Sequence, residues 1–127
     1  MKVIDSYIYC RNNHKSENVH EFRKRAKDFL YQLYFFRPLN LPVIKTLEKR
    51  LNSITQNLGR FNDLNQLLND LDYKIKDNTN TPALNELIIK IRDKQDGYLA
   101  KVWPTAYKIF CPGQNLVNVL GFKLLLI

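Results

Sequence analysis

Glycine is scarce in this chain, with 4 among 127 residues. Backbone phosphate cradles need glycine clusters, and neither a G-x-G-x-x-G run nor a Walker loop occurs. Cysteine is scarcer still: Cys10 and Cys111 stand alone and far apart. No C-x-x-C motif and no Cys/His pairing has zinc-site spacing, and His14 and His20 are poorly spaced to share a ligand on one helix. No metal and no cofactor is therefore expected, and both thiols are read as reduced and inert. The N-terminal stretch lacks the long apolar core of a signal peptide. No apolar run reaches the roughly 18 residues of a membrane span, so the expected address is the cytoplasm. Catalytic groupings are missing too. Asp70 and Asp72 sit two apart, which on a helix puts them on different faces, and no Ser/His/Asp or Cys/His arrangement is visible. The chain is not expected to be an enzyme.

What the chain has in excess is positive charge. Lys and Arg number 20 against 12 Asp and Glu, a net charge of +8 and a pI near 9.6. Such a field draws in anions, whether nucleic acid, anionic membrane or polyphosphate. An apolar fraction of 45% and a charged fraction of 25% suit a folded core, and the length suits one domain over 1–127.

The residues from Val19 to Arg37 organise the rest. At about 100° per residue, Val19, Phe22, Ala26, Phe29, Leu30, Leu33 and Phe36 form one apolar arc. His20, Arg23, Lys24, Lys27 and Tyr31 form a second arc beside it, while Glu21, Arg25 and Asp28 fall on the far side. Arg23 and Lys27 are four apart, where like charges repel by roughly 0.2–0.5 kcal/mol. A polyanion laid along the stripe relieves that repulsion. A solvated basic face whose aliphatic stems cover the core edge is the plainer alternative.

The other segments read as helices as well. Residues 1–9 predict a short one, then a polar break at 12–18, with Ser16 or Asn18 available as N-cap. Pro38 should end the organising helix near Arg37, and Pro42 suits the first turn of the next. Val43, Ile44, Leu47, Leu51, Ile54 and Leu58 carry that helix, with Lys45, Lys49, Asn52 and Gln56 as a polar stripe. Gly59 reads as its C′ residue and Asn62 or Asp63 as the cap of a third helix built on Leu64, Leu67, Leu68, Leu71 and Ile75. After a polar loop at 77–81, Thr81 caps a fourth helix from Pro82, with Pro104 expected to kink or end it. Cys111-Pro112-Gly113 reads as a turn. The apolar tail from Leu116 to Ile127 can pack on the bundle, lie on a membrane or face a second chain. No strand pattern competes. The expected fold is all-α, an antiparallel four-helix bundle with short helical segments at both ends.

Two stretches carry a family resemblance. His20-Glu-Phe-Arg23-Lys24-Arg25-Ala-Lys27, followed by Tyr31, is similar to the first-helix signature of the CHAD (conserved histidine α-helical domain) family, H-x-x-R-K-x-x-[K/R]-x-x-R-[Y/F]. Gln56-Asn-Leu58-Gly59-Arg-Phe-Asn62-Asp63-Leu64 resembles the family's Q-x-x-L-G-x-x-[N/R]-D-L junction. The resemblance is strong over 19–75. It implies an all-helical, non-catalytic fold that binds inorganic polyphosphate, with residence at polyphosphate granules a natural corollary. Family members typically pair two four-helix halves around a basic channel. This chain holds one copy of the motif, closer to the second repeat, so the resemblance implies a half-length version that a homodimer could complete. Leu30 stands where the family usually has Arg, and Asp28 where a further basic residue is common, which thins the stripe.

The residues the resemblance assigns to polyphosphate are His20, Arg23, Lys24, Lys27 and Tyr31 on one wall, with Lys45 and Lys49 as candidates for the other. Arg23 can fork onto two phosphate oxygens, and the lysines act as point charges. His20 either donates to phosphate or is a hydrogen-bonded structural residue, and Tyr31 either donates its hydroxyl or packs. Gln56 is a neutral donor, and Arg60 and Lys108 are weaker candidates. Nucleic acid is the second choice of partner: the charge suits it, but no recognition motif is present, and Tyr34, Phe35 and Phe36 read better as packing than as base-stacking platforms. A structural interaction module without ligand is the remaining alternative.

Overall fold

Apolar residues spaced three and four apart build every element of this protein. The computed structural model describes residues 2–75 and 82–110. They form α1 (Lys2–Asn12), α2 (Ser16–Tyr34), α3 (Pro42–Ile75) and α4 (Pro82–Phe110), with a 3-10 turn over Arg37–Leu39 between α2 and α3. The all-α bundle expected from the periodicity is the fold found, and among the described residues there is no strand. No helix among them is long and apolar enough to cross a membrane. The 77–81 loop, the Thr81 cap, the 111–113 turn, Cys111 and the 116–127 tail lie outside the described residues.

The four helices divide the chain differently from the expected partition. α1 is a full member of the bundle: Val3, Ser6, Tyr7 and Cys10 are buried along one side of it. α3 runs unbroken through Gly59, Asn62 and Asp63, where a helix end and a new cap were expected. A mid-helix glycine costs about 1 kcal/mol relative to alanine. Burial overrides that local signal, because Leu58 and Phe61 on either side of Gly59 are both in the core. Pro104 likewise lies inside α4 without ending it. Pro104 and Ala100, whose carbonyl loses its usual donor, are both exposed, while Val102, Ala106, Ile109 and Phe110 hold the opposite side in the core.

The ends of α2 also differ from expectation. Lys15, in extended backbone, precedes the helix and gives no side-chain cap. Asn18 instead donates from Nδ2 to the Asn13 carbonyl at 2.9 Å. At the other end the helix tightens, with Phe36 N–H donating to the Leu33 carbonyl at 2.9 Å, so regular α-helix stops at Tyr34 and not at Arg37. Asn40 then turns the chain in the left-handed region (φ 53°), which asparagine tolerates.

The core gathers α1, α2, the first half of α3 and the second half of α4. Phe110, 1% exposed, is its aromatic hub. Its ring lies 5.6 Å from Tyr7, 6.1 Å from Phe22 and 6.4 Å from Phe29, centroid to centroid. Trp103 closes the α1 side, stacked on His14 at 5.1 Å and covered by the Arg11 guanidinium at 5.4 Å. Consecutive long helices run antiparallel. Arg23 meets Thr55 while the later Arg37 meets the earlier Glu48, and Phe61 meets Gln95 across α3 and α4. α3 therefore lies between α2 and α4, and its middle positions both.

Candidate functional site

The seam between α2 and α3 is set by one unusual contact. Arg23 is half-buried and donates from Nε to the Thr55 carbonyl at 3.2 Å. Its guanidinium lies flat on the bare backbone of Gly59. A Cβ at that position would stand 3.1 Å from Nε, 3.3 Å from Nη2 and 3.5 Å from Cζ. Gly59 is thus the floor for Arg23 and not a helix terminator. One of the five guanidinium donors is used by the protein, which fixes the plane of the rest.

Around this anchor the two helices present their polar ridges on the same side. On α2, His20, Lys24 and Tyr31 are exposed and Lys27 is half-buried. On α3, Lys45, Lys49, Asn52 and Gln56 are exposed at three- and four-residue spacing. The antiparallel register brings the Lys27–Tyr31 turn beside the Lys49–Asn52 turn, and His20 toward Gln56. All seven residues singled out from sequence therefore lie along this one face. Asp63, exposed, continues the α3 ridge at its His20 end. The expectation that Asp63 caps a helix does not hold, since no helix begins there.

The lysines on this face are left uncompensated, while the two arginines nearest them outside the stripe are matched. On the opposite flank of α2, Arg25 pairs with Glu21 at 2.8 Å and lies 3.9 Å from Asp28. Asp28 is thereby occupied away from the stripe. Glu48, which borders the face, is 14% exposed and pairs with Arg37 at 3.1 Å. The Arg37 guanidinium also sits 3.7 Å over the Tyr34 ring. Among the described residues, Lys24, Lys27, Lys45 and Lys49 enter no ion pair. Leu30 is 4% exposed and belongs to the core, so it adds nothing to the face.

Other regions offer less. A cleft of about 360 Å³ between α1 and α2 is lined by Lys2, Asp5, Ser6, Tyr9, Asn18, Glu21 and Arg25, and its two cations are balanced by its two carboxylates. Among the described residues no group of three or more His, Cys, Asp or Glu is placed to hold a metal ion. Cys10 is fully buried, and desolvation pushes its thiol up from 9.0 to about 12. Phe35 was expected to pack and does not; it is 84% exposed.

The geometry defines a helical-bundle protein with an open basic face on α2 and α3 whose lysines enter no ion pair among the described residues. The CHAD domain family model matches residues 8–72, about half of the 127-residue chain, and the chain belongs to that family. The match spans the second half of α1, all of α2 and nearly all of α3, and so includes the whole α2–α3 face. Comparison with curated proteins and with solved structures finds no match.

Proposed function

We propose that the α2–α3 face binds inorganic polyphosphate, without catalysing its turnover. The observation that carries this reading is the split of charge around the α2–α3 seam: carboxylates pair with Arg25 and Arg37, while exposed Lys24, Lys45 and Lys49 and half-buried Lys27 enter no ion pair. CHAD family membership supports the same ligand. The lysines supply point charges along two antiparallel rails. Arg23, held from beneath, offers its remaining donors in a fixed plane, and His20 and Tyr31 add polar contacts at the edge. Residues 1–127 act in this reading as one unit that a second copy completes by setting the same face opposite itself. Its place is the cytoplasm, where polyphosphate accumulates in granules.

Titration with long-chain polyphosphate at two salt concentrations tests the proposal. If these four lysines release ions from a flexible polyanion as from a single-stranded nucleic acid, they contribute roughly −3 to the slope of log K against log salt. Their share of the affinity then drops about 50-fold between roughly 50 and 200 mM salt. The quadruple variant Lys24→Gln/Lys27→Gln/Lys45→Gln/Lys49→Gln should lose the share of the slope that these four lysines supply, and affinity with it. No binding by folded wild type overturns the reading and leaves an interaction module. Tighter binding of single-stranded RNA at equal phosphate concentration puts nucleic acid first. Native mass measurement with and without polyphosphate tests the dimer.

A further inference from the structure

α4 carries a second run of unpaired cations that the α2–α3 face does not include. Lys94, Lys101 and Lys108 recur every seven residues and are all exposed. Seven residues are nearly two helical turns, about 10.5 Å, so the three ammoniums line one flank of α4. Two ring contacts identify which flank it is. Tyr98, half-buried on that side of α4, has the Lys101 ammonium 5.7 Å from its ring and the Arg60 guanidinium of α3 5.8 Å from it. Arg60 stands on the solvent ridge of α3, one turn beyond Gln56. The flank of α4 bearing the three lysines therefore adjoins the outer ridge of α3. The other flank of α4 carries Trp103 and meets α1.

The nearby acids do not neutralise this flank. Asp96 projects from the other side of α4 by helical spacing, Asp93 lies roughly 60–100° round the helix from the lysines, and Glu86, nearer the flank, is taken by Lys90 at 3.7 Å. Among the described residues, Arg60, Lys94, Lys101 and Lys108 have no carboxylate within ion-pair distance. We propose that the basic face turns the corner of α3 and continues along α4, so that one long polyanion chain engages a second rail made of Arg60, Lys94, Lys101 and Lys108. The inference rests on polyphosphate as the ligand and adds a consequence, selection for chain length. A short chain reaches one seam; a long one wraps α3 and gains the α4 cations.

The experiment compares long-chain polyphosphate with tripolyphosphate on wild type and on Lys94→Gln/Lys101→Gln/Lys108→Gln. All three positions are exposed, and a thermal melt checks that the variant stays folded. Removing three contacts should make the salt slope for the long chain shallower by roughly 2, equivalent to about a 20-fold smaller drop between roughly 50 and 200 mM salt. Tripolyphosphate binding should change by less than about twofold, and the corresponding triple Lys→Arg variant should restore the wild-type slope. If wild type binds the long chain and the Gln variant matches it in affinity and slope, the second rail is wrong and the α2–α3 site stands. If wild type binds neither chain, both readings fall.

Discussion

Replacing Gly59 by alanine sets helix propensity directly against the Arg23 contact. Alanine in a helix interior gains about 0.8–1.0 kcal/mol over glycine. Gly97, on α4, shows that gain undisturbed, because a Cβ there meets nothing within 4 Å. At Gly59 the new Cβ would stand 3.1 Å from Arg23 Nε, closer than ordinary van der Waals contact, and the guanidinium must retreat by a few tenths of an ångström. The Nε-to-Thr55 bond is already 3.2 Å long, so that retreat takes it beyond hydrogen-bond range. A hydrogen bond from a charged donor contributes about 1.5–3 kcal/mol, and half-burial puts this one at the low end. Gly59→Ala should therefore be neutral to about 1 kcal/mol destabilising, while Gly97→Ala stabilises by about 1 kcal/mol. In an Arg23→Ala background the obstacle is gone, and Gly59→Ala should stabilise as Gly97→Ala does, a coupling of about 1–2 kcal/mol. Urea unfolding of the four-member cycle, with the slope of the transition held as a check, measures it. If Gly59→Ala stabilises wild type as much as Gly97→Ala, the guanidinium does not depend on that bare backbone and the reasoning fails.

Phe110→Ala empties the aromatic hub, which is 1% exposed, and should cost about 3–5 kcal/mol in chemical denaturation. Pro104→Ala restores the missing bond to the Ala100 carbonyl on an exposed side of α4, and should raise stability by about 1–3 kcal/mol with the helix signal in circular dichroism retained or increased. The Cys10 thiol, pushed up from 9.0 to about 12, gives a pH prediction with a definite sign. Below pH 9 the thiol is protonated whether the chain is folded or not, and its contribution to stability is complete. Between pH 9 and about 12 only the unfolded chain ionises it, so this contribution falls with rising pH, by up to about 1.4 kcal/mol per unit. Stability curves of wild type and Cys10→Ala should converge across that window, and parallel curves would show that burial does not hold the thiol neutral.

The two faces of α2 were legible in the sequence because a 3.6-residue repeat needs no partner to be seen: Val19 through Leu33 mark the core and His20 through Tyr31 the stripe. What misled was local turn chemistry. Gly59 followed by Asn62 and Asp63 has the composition of a helix stop and restart. Yet Leu58 and Phe61 keep the three-residue step across it, and the burial they bring outweighs a glycine in mid-helix. The packing of Arg23 on Gly59 joins residues thirty-six apart and needs the antiparallel register of α2 and α3, which no local pattern carries. The heptad of Lys94, Lys101 and Lys108 is visible in the letters, but which flank it occupies is set by the Arg60–Tyr98 contact. The ion pairs of Arg25 and Arg37 belong to the same class: helical spacing placed Glu21 and Asp28 away from the stripe, whereas Glu48 reaches Arg37 only across the bundle.

Trp103 is the chain's single tryptophan, and its neighbours are Tyr7, Arg11 and His14, from α1 and the connection that follows it. Its fluorescence is therefore a gauge of whether α1 is seated on α4, read from the side of the bundle away from the lysines. Anion binding and loss of α1 become optically separable events in one cuvette: the first leaves the indole's surroundings as they are, the second strips away its stacking partner and its cation and exposes it to water.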